Sequence, residues 1–412
     1  MKRTLRFRAY LSDAVASEAW RQIDILRQIR NHAVRGYYHS DYNERPTEFE
    51  QNNKLTEWAE RWPTFAEPSR HAAQQAISQI HSDLETLKER RNNGYNVGRL
   101  RLQGRGEYRS VSYNQPCRWN VDHNTGGERC VQFRLEKIGW FKIRAERTVP
   151  DADEISEAIL KKQKTGEWYV SLVIDVDDVP EKPGLSEIEP QDCVGVDLGI
   201  TNYIHTSENL TVDTLDLSDE YERLRREQRN LSRKQHGSNN WEKQRRKVAK
   251  ATRKIKRKVK DFQHKLTTWL VTEYDLVAVE DLDVKPMLES SQNAKNKQDA
   301  AWSRFIDLLE YKADLHGTHV VTVDPAGTSK ECASCGVATD KPLWVREHSC
   351  PACGHTQDRD LNAAKNILNR GLKQVGAGRS ESTPMQTALP TSSPQREAID
   401  AKRVVEVGSL GA

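Results

Sequence analysis

Four cysteines of the 412-residue chain stand in an order that simple packing does not require. Cys332 and Cys335 form one Cys-x-x-Cys pair and Cys350 and Cys353 a second, with 14 residues between the pairs. Two such knuckles can each present two thiolates to one tetrahedral ion, and a spacer of this size accommodates a hairpin. Gly336 and Gly354 follow the second cysteine of each pair, where a knuckle turn leaves little room for a side chain. Four protein ligands leave no position for water, so the expected ion is a structural Zn²⁺. Unpaired buried thiols and a redox dithiol are the competing readings; two pairs in zinc-ribbon order count against both. Cys117, Cys130 and Cys193 lack such pairing and read as small apolar residues.

Three carboxylates form the second constellation. Asp197 ends the apolar run Cys193-Val194-Gly195-Val196, and Glu280 ends Leu276-Val277-Ala278-Val279. A carboxylate at the end of a buried strand is costly unless a cation accompanies it. Asp360 opens the segment Asp360-Leu361-Asn362-Ala363-Ala364, where on its own it reads as a helix cap or a charge favourable to the helix N-terminus. Acids gathered from separate elements can hold two Mg²⁺ ions about 4 Å apart, activating water and stabilising the leaving oxygen of a phosphodiester. Asp281, Asp283 and Asp358 are the nearest confounders. A strand pleat would turn Asp281 to the opposite face from Glu280.

Net charge is +4, but its distribution is uneven. Residues 221–260 carry 17 Lys and Arg against three Glu, so the remainder of the chain is net acidic. Such density favours a polyanion and salt-sensitive binding, with Arg233, Lys234, Arg245, Arg246, Lys247, Arg253, Lys254 and Arg257 the candidate phosphate contacts. A solvated charged helix is the plainer reading. No apolar run approaches the ~18 residues of a membrane span. The basic N-terminus lacks the apolar core of a signal peptide, so a cytoplasmic protein is expected, and cysteines used for metal suit that compartment.

These groups need elements to position them. Residues 2–11 read as a strand, followed from Asp13 by helical spacing at Ala19, Ile23, Leu26, Ile29 and Ala33. The same spacing recurs from Ala72 to Leu87, whereas 41–56 is polar and reads as a connection between helices. Segments 109–117, 130–135, 139–143, 156–161 and 168–176 read as strands, with hairpin tips at 124–127 and 164–167. A small barrel with a helical insertion suits this order. Pro180, Pro183, Gly184 and Pro190 mark the domain boundary. Beyond it come strands at 193–199, 276–280 and 318–323, a basic helical stretch, a helix at 302–315, and a last helix at about 361–368. From Gly371 the chain is rich in Gly, Ser, Thr and Pro and reads as a disordered tail, 371–412.

Val194-Gly195-Val196-Asp197-Leu198-Gly199, Val279-Glu280-Asp281-Leu282 and Asp360-x-Asn362-Ala363-Ala364-x-Asn366-Ile367 resemble the three RuvC motifs of the TnpB family, OrfB-type transposon-associated relatives of type V CRISPR effectors. Asp324-Pro325-x-x-Thr328-Ser329-x-x-Cys332-x-x-Cys335-Gly336 and Cys350-Pro351-x-Cys353-Gly354 are similar to that family's zinc-finger insertion. Leu231-Ser232-Arg233-Lys234, Gly237-Ser238-Asn239-Asn240 and Asp261-Phe262-x-His264-Lys265 resemble its basic segment. The resemblance spans about 190–370 and is thin before 180, where it rests on element order and the start Phe7-Arg8-Ala9-Tyr10. It implies an α+β multidomain protein. A wedge-like β-barrel at 1–183 would carry a helical recognition insertion at about 12–95. A RuvC/RNase H-like α/β nuclease domain at 190–370 would hold a zinc ribbon at 325–358. It also implies an RNA-guided DNA endonuclease, with a guide RNA from the transposon end, double-stranded target DNA, and Mg²⁺ at Asp197, Glu280 and Asp360. Pairing would read the target while protein reads a short flank. A non-catalytic zinc-ribbon regulator and an unguided nuclease of the same fold are the alternatives.

Overall fold

The computed structural model describes residues 1–125, 127, 129–282, 301–340, 342 and 344–376. They fall into two compact units, Met1–Asp177 and the chain from Asp178. The segment expected to be a disordered tail lies outside the described residues from 377 onward, as does Asp283.

The first unit is a seven-stranded antiparallel sheet with helices packed on it. Its strands are β1 (Lys2–Tyr10), β2 (Ser110–Tyr113), β3 (Trp119–Asp122), β4 (Cys130–Leu135), β5 (Gly139–Arg144), β6 (Ile155–Lys162) and β7 (Trp168–Asp175), in the order β2-β6-β7-β1-β5-β4-β3. Leu5, Phe7 and Ala9 of β1 alternate inward, as do Val131, Phe133 and Leu135 of β4. The two edges are consecutive in sequence, and this forces curvature. Seven flat strands would hold β2 and β3 about 29 Å apart, whereas the chain from Tyr113 to Trp119 reaches at most about 21 Å. The sheet therefore curls. The Tyr113 hydroxyl donates to the Glu136 carbonyl (2.7 Å), tying one edge to the end of β4. Helices α1 (Asp13–His39) and α3 (Arg70–Asn92) supply Ile23, Leu26, Ile29, Ile77 and Ile80 to the same core.

The polar stretch 41–56 is not merely a connection. It contains the start of α2 (Glu48–Arg61), nucleated by a capping box in which Thr47 and Glu50 exchange hydrogen bonds. Only Gln51, Leu55 and Trp58 of α2 are buried, a stripe too narrow to overcome its polar composition on reading. Strand β3 also went unread; it is four residues long with one fully buried side chain, Trp119.

The second unit is built on a five-stranded sheet, order β10-β9-β8-β11-β12. Its strands are β8 (Cys193–Leu198), β9 (Asn202–Thr206), β10 (Thr211–Asp213), β11 (Leu276–Glu280) and β12 (His319–Val323). β8, β11 and β12 are parallel, while β9 runs antiparallel to β8 and β10 antiparallel to β9. The parallel strands need crossovers. The first runs through α4 (Ser218–Ser232) and α5 (Asn239–Glu273), the second through α6 (Trp302–His316). Val194, Val196, Val277 and Val279 meet Phe262, Leu266, Leu270, Phe305 and Leu309 on that face.

The other face carries α7 (Arg359–Gln374), with Ile367 against Cys193, Leu276, Ala278, Val321 and Val323. A Cβ on Gly195 would lie 2.1 Å from the Ala364 carbonyl oxygen, and one on Gly371 would lie 2.7 Å from the Ala278 Cβ. α7 thus lies directly on β8 and β11, and it extends beyond the expected end near 368. Gly371, read as the start of the tail, is a packing glycine inside the helix. The basic stretch likewise divides into two helices, turned at Gly237 (φ +81°) and restarted by Ser238, whose hydroxyl accepts from Trp241 N. A small hairpin, β13 (Glu347–Ser349) with β14 (Thr356–Asp358), precedes α7.

Candidate active site

Strand periodicity assigns the carboxylates to one face. Cys193, Gly195 and Asp197 of β8, and Leu276, Ala278 and Glu280 of β11, share the side on which α7 packs. Both acids stand at the carboxyl ends of parallel neighbours, and the start of α7 contributes Asp360. The Asp197 carboxyl is pushed up to about 8, first by loss of water and then by the charges of Glu280 and Asp360, with Arg359 and Arg346 opposing. Burial also pushes Glu280 up, countered by the Thr328 hydroxyl, which donates to Glu280 Oε1 (2.5 Å), and by Arg370. The structure therefore places Glu280 and Asp360 within electrostatic reach of Asp197.

The helix cap is not Asp360. Asp358 Oδ1 accepts from Asp360 N (2.8 Å) and Leu361 N (3.1 Å), which leaves the Asp360 carboxylate free of that duty. Arg346 Nη1 lies 3.3 Å from both Asp360 oxygens, and its Nη2 donates to Thr201 Oγ1 (3.1 Å). Asp281 is exposed, and its backbone N–H donates to the Val323 carbonyl.

The rest of the Asp360 motif holds the cysteine loop. Asn366 Nδ2 donates to the carbonyls of Thr328 (2.8 Å) and Glu331 (2.7 Å). Asn362 donates to Glu331 O (2.6 Å) and accepts from Ala333 N (2.9 Å). One helix face thus fixes Thr328 beside Glu280 and the first cysteine knuckle. Ala363 and Ala364 are the small residues that the approach to Gly195 demands.

All four paired cysteines converge, with every sulfur within 4.8 Å of the others. Cys332 and Cys353 are 3.7 Å apart and Cys335 and Cys350 3.5 Å, too far for disulfides and close to the ~3.8 Å edge of a tetrahedron with Zn–S bonds of ~2.3 Å. Gly336 and Gly354 adopt φ of +76° and +73°, the left-handed turn expected after each knuckle. Backbone N–H groups of Cys353 and Ala352 help hold the Cys350 thiol down, while the neighbouring thiols and burial push Cys335 up, so the four sulfurs titrate as a group. This cluster can hold a metal ion. Of the three unpaired cysteines, Cys193 is buried as expected, Cys130 half-buried and Cys117 exposed.

The basic candidates do not converge on one point; Arg233 and Lys234 follow the end of α4 and the other six spread along α5. Arg233, Lys234, Arg246, Lys247, Lys254 and Arg257 are exposed, while Arg245 and Arg253 are half-buried. Arg245 is engaged by Glu242 through two hydrogen bonds (2.7 and 2.6 Å), Arg246 reaches the same carboxylate, and Lys254 pairs with the buried Glu220. Among the described residues, no helix is long and apolar enough to cross a membrane.

Sequence reasoning missed Thr328, Arg346 and His205. Thr328 stands within the Asp324–Gly336 motif with nothing in the sequence to give it a role, and Arg346 stands in the spacer between the knuckles. His205 lies on β9, a strand not read at all, directly opposite Asp197.

A family model described as "Probable transposase" matches residues 171–291, and one for a "Cas12f1-like, TNB domain" matches 302–367. The chain is 32% identical over 387 residues to a "Putative RNA-guided DNA endonuclease" of Streptomyces pristinaespiralis, covering 92% of this chain and 91% of that protein. It is 27% identical over 371 residues to the "Putative RNA-guided DNA endonuclease InsQ" of Escherichia coli K12, covering 84% and 86%. A "TnpB-like protein" of Acanthamoeba polyphaga mimivirus is 35% identical over 132 residues, 31% of this chain and 25% of that one. In fold, the chain resembles the protein in a cryo-EM structure of a Cas12f1–sgRNA–target DNA complex, with a TM-score of 0.54, 15% identity and coverage of 90% and 99%. Near-full-length identity to the first relative, joined to the motif matches at both ends of the second unit, makes this chain a member of the TnpB family.

Proposed function

We propose that the chain is an RNA-guided DNA endonuclease that cuts phosphodiesters with Asp197, Glu280 and Asp360, in a RuvC/RNase H-like domain at 190–370. The observation that carries the reading is placement: Asp197 and Glu280 end adjacent parallel strands on the face that α7 covers, and the first turn of α7 carries Asp360. Burial and then the charges of Glu280 and Asp360 push the Asp197 carboxyl up to about 8. A fold does not retain such a cluster for stability. Oxygen donors of this kind fit Mg²⁺, and Asp197, Glu280 and Asp360 would hold it. When bound, Mg²⁺ supplies charge neutralisation at a phosphate and a water of lowered pKa.

The protein's own part is positioning. Thr328 fixes one Glu280 oxygen by donating to it, and leaves the other for a ligand. Arg346 brings a cation beside Asp360 without a short contact, so its guanidinium can also face a phosphate. The four cysteines would hold a structural Zn²⁺ that anchors the segment carrying Arg346. Exposed cations along α4 and α5 would follow a nucleic-acid backbone. The relatives' printed names, and the guide and target in the similar complex, support a guide RNA and a DNA target for this chain too. We assign the guide to the transposon end, the curled sheet and its helices at 1–183 to recognition beside the target, and the cytoplasm as the place of action.

The test is to purify the protein with RNA expressed from its own element, sequence that RNA, and assay cleavage of matched duplex DNA with Mg²⁺. Alanine at Asp197, Glu280 or Asp360 should lower the rate about a thousandfold or more, since several kcal/mol of charge stabilisation is lost. DNA binding should persist. A protein that binds matched DNA but never cuts it would overturn the catalytic reading; cutting without bound RNA would overturn the guided one.

A further inference from the structure

His205 is 6% exposed, and its Nδ1 has no hydrogen-bond partner. A buried polar atom left unsatisfied costs free energy, so its surroundings should explain it. Strand pairing sets His205 opposite Asp197 in the β8–β9 ladder, hence on the α7 face. Its Nδ1 lies 3.9 Å from Asp358 Oδ1, and one donor atom from each of His205, Asp358 and Asp360 lies within 4.8 Å of the others.

The far side of the ring bears on its tautomer. Nε2 lies 3.1 Å from Asn209 Oδ1, and the tautomer that donates from Nε2 to this oxygen is the one that presents the Nδ1 lone pair. Asn209 is held for this by the tight β9–β10 turn, where it adopts φ +65° and donates its N–H to the Thr206 carbonyl. An imidazole oriented through its other nitrogen is the usual arrangement of a metal-ligating histidine. Asp358 remains half-exposed while capping α7 through Oδ1, so Oδ2 is available. Arg346 Nη1 lies 3.3 Å from both Asp360 oxygens, a long contact to each.

We propose that His205 Nδ1, Asp358 and Asp360 form a cation site of mixed nitrogen and oxygen donors, sharing Asp360 with the acidic cluster and selecting a first-row transition ion over Mg²⁺. Imidazole suits such ions, whereas Mg²⁺ favours carboxylate and water. The inference rests on Asp360 facing a metal, as in the function proposed above, but not on cleavage.

Mn²⁺ is the probe. The full-length, zinc-loaded protein is titrated with it, and pulsed EPR reads ¹⁴N coupling to the bound ion. The wild type should bind Mn²⁺ at least about tenfold more tightly than Mg²⁺ and show ¹⁴N coupling. His205→Gln should lose the coupling and the preference, with Mg²⁺ affinity within about twofold of wild type. Should His205→Gln fail to fold, Asp358→Asn provides the second variant, with weakened Mn²⁺ binding expected. Mn²⁺ bound without nitrogen coupling in the wild type, or with equal affinity in His205→Gln, would make His205 a buried partner of Asp358 and overturn the site. A Glu280→Gln protein separates the two readings: it should retain the nitrogen-coupled ion while losing cleavage. Nitrogen coupling in a wild type that never cuts would leave this site standing and remove the nuclease reading.

Discussion

The two sheets treat buried charge in opposite ways. In the seven-stranded sheet and its helices, most withdrawn acids are paired, the exception being Glu157, which burial pushes up with only the charge of Lys2 opposing. Glu136 receives Arg118 Nη1 (2.8 Å) and the Ser69 hydroxyl (2.5 Å), Glu167 meets Arg8 (2.7 Å), and the buried Arg30 faces Asp83 (3.5 Å). In the five-stranded sheet, Asp197 and Glu280 are withdrawn beside one another, with Asp360 close by. The first arrangement supports a fold. The second opposes it, and has a rationale only if something positive arrives. Local instability of this kind marks where a protein is built for a ligand rather than for itself.

The largest expected effect tests the packing that forces the acids together. Gly195→Ala would set a Cβ against the backbone of α7, an obstacle that cannot rotate away. A loss of about 3 kcal/mol is expected, with cleavage falling as the start of α7 shifts. Gly98→Ala in the first unit is the control, because nothing lies within 4 Å of a Cβ there. Denaturant midpoints and cleavage rates of the two variants decide the matter; equal midpoints would mean that α7 has room to lift.

The next prediction goes to the contrast itself. Asp197→Asn should stabilise the protein by about 1–2 kcal/mol in magnesium-free buffer at neutral pH, while abolishing cleavage. A chelator is to be avoided, since it would also strip the cysteines. Glu136→Gln should do the reverse, costing about 1 kcal/mol by weakening the contacts of Arg118 and Ser69. Two carboxylate-to-amide changes of opposite sign are the expected result of thermal melts. If both destabilise, the acidic cluster is satisfied in some way its geometry does not reveal.

What was legible in the sequence follows the same division. The cysteines were readable because metal geometry acts through spacing, and Asp197 and Glu280 because each ends an apolar strand. Asp360 could not be freed from the cap reading until Asp358 was seen to hold the helix start. β9 and β10 are short, and their residues gain meaning only as partners of β8. His205 is an unremarked histidine until pairing sets it across from Asp197. α2 was lost for a different reason. Its capping box is a local signal, but its buried stripe of three residues is too thin for periodicity to detect. Gly371 was misread because composition carries no information about a helix lying directly on Ala278.

The smallest effect lies on the opposite face of the same sheet, where like charges of the other sign gather. His264 on α5 faces Lys312 and Arg304 from α6, and Lys260 and Asp261 from its own helix. Burial and then these cations push its ring down to about 4, and burial alone pushes Lys312 down to about 8. The neutral ring is therefore the native form through the mildly acidic range. Between about 6.5 and 4 the unfolded chain takes up a proton that the folded chain refuses, so stability falls as pH falls through that window. Above it the contribution is complete and level. His264→Gln should flatten this part of the profile, by less than ~1 kcal/mol once solvent screening is allowed for. Denaturant midpoints of both proteins at about pH 4.5, 5.5 and 7, which sample the window and the level range above it, provide the check. A fall toward acid retained in the variant would overturn the assignment to His264, and the acids could not account for it, since protonating raised carboxyls such as Asp197 stabilises this unit. The sign of the residual slope therefore distinguishes the two faces: a crowd of cations loses stability toward acid, and a crowd of carboxylates gains it.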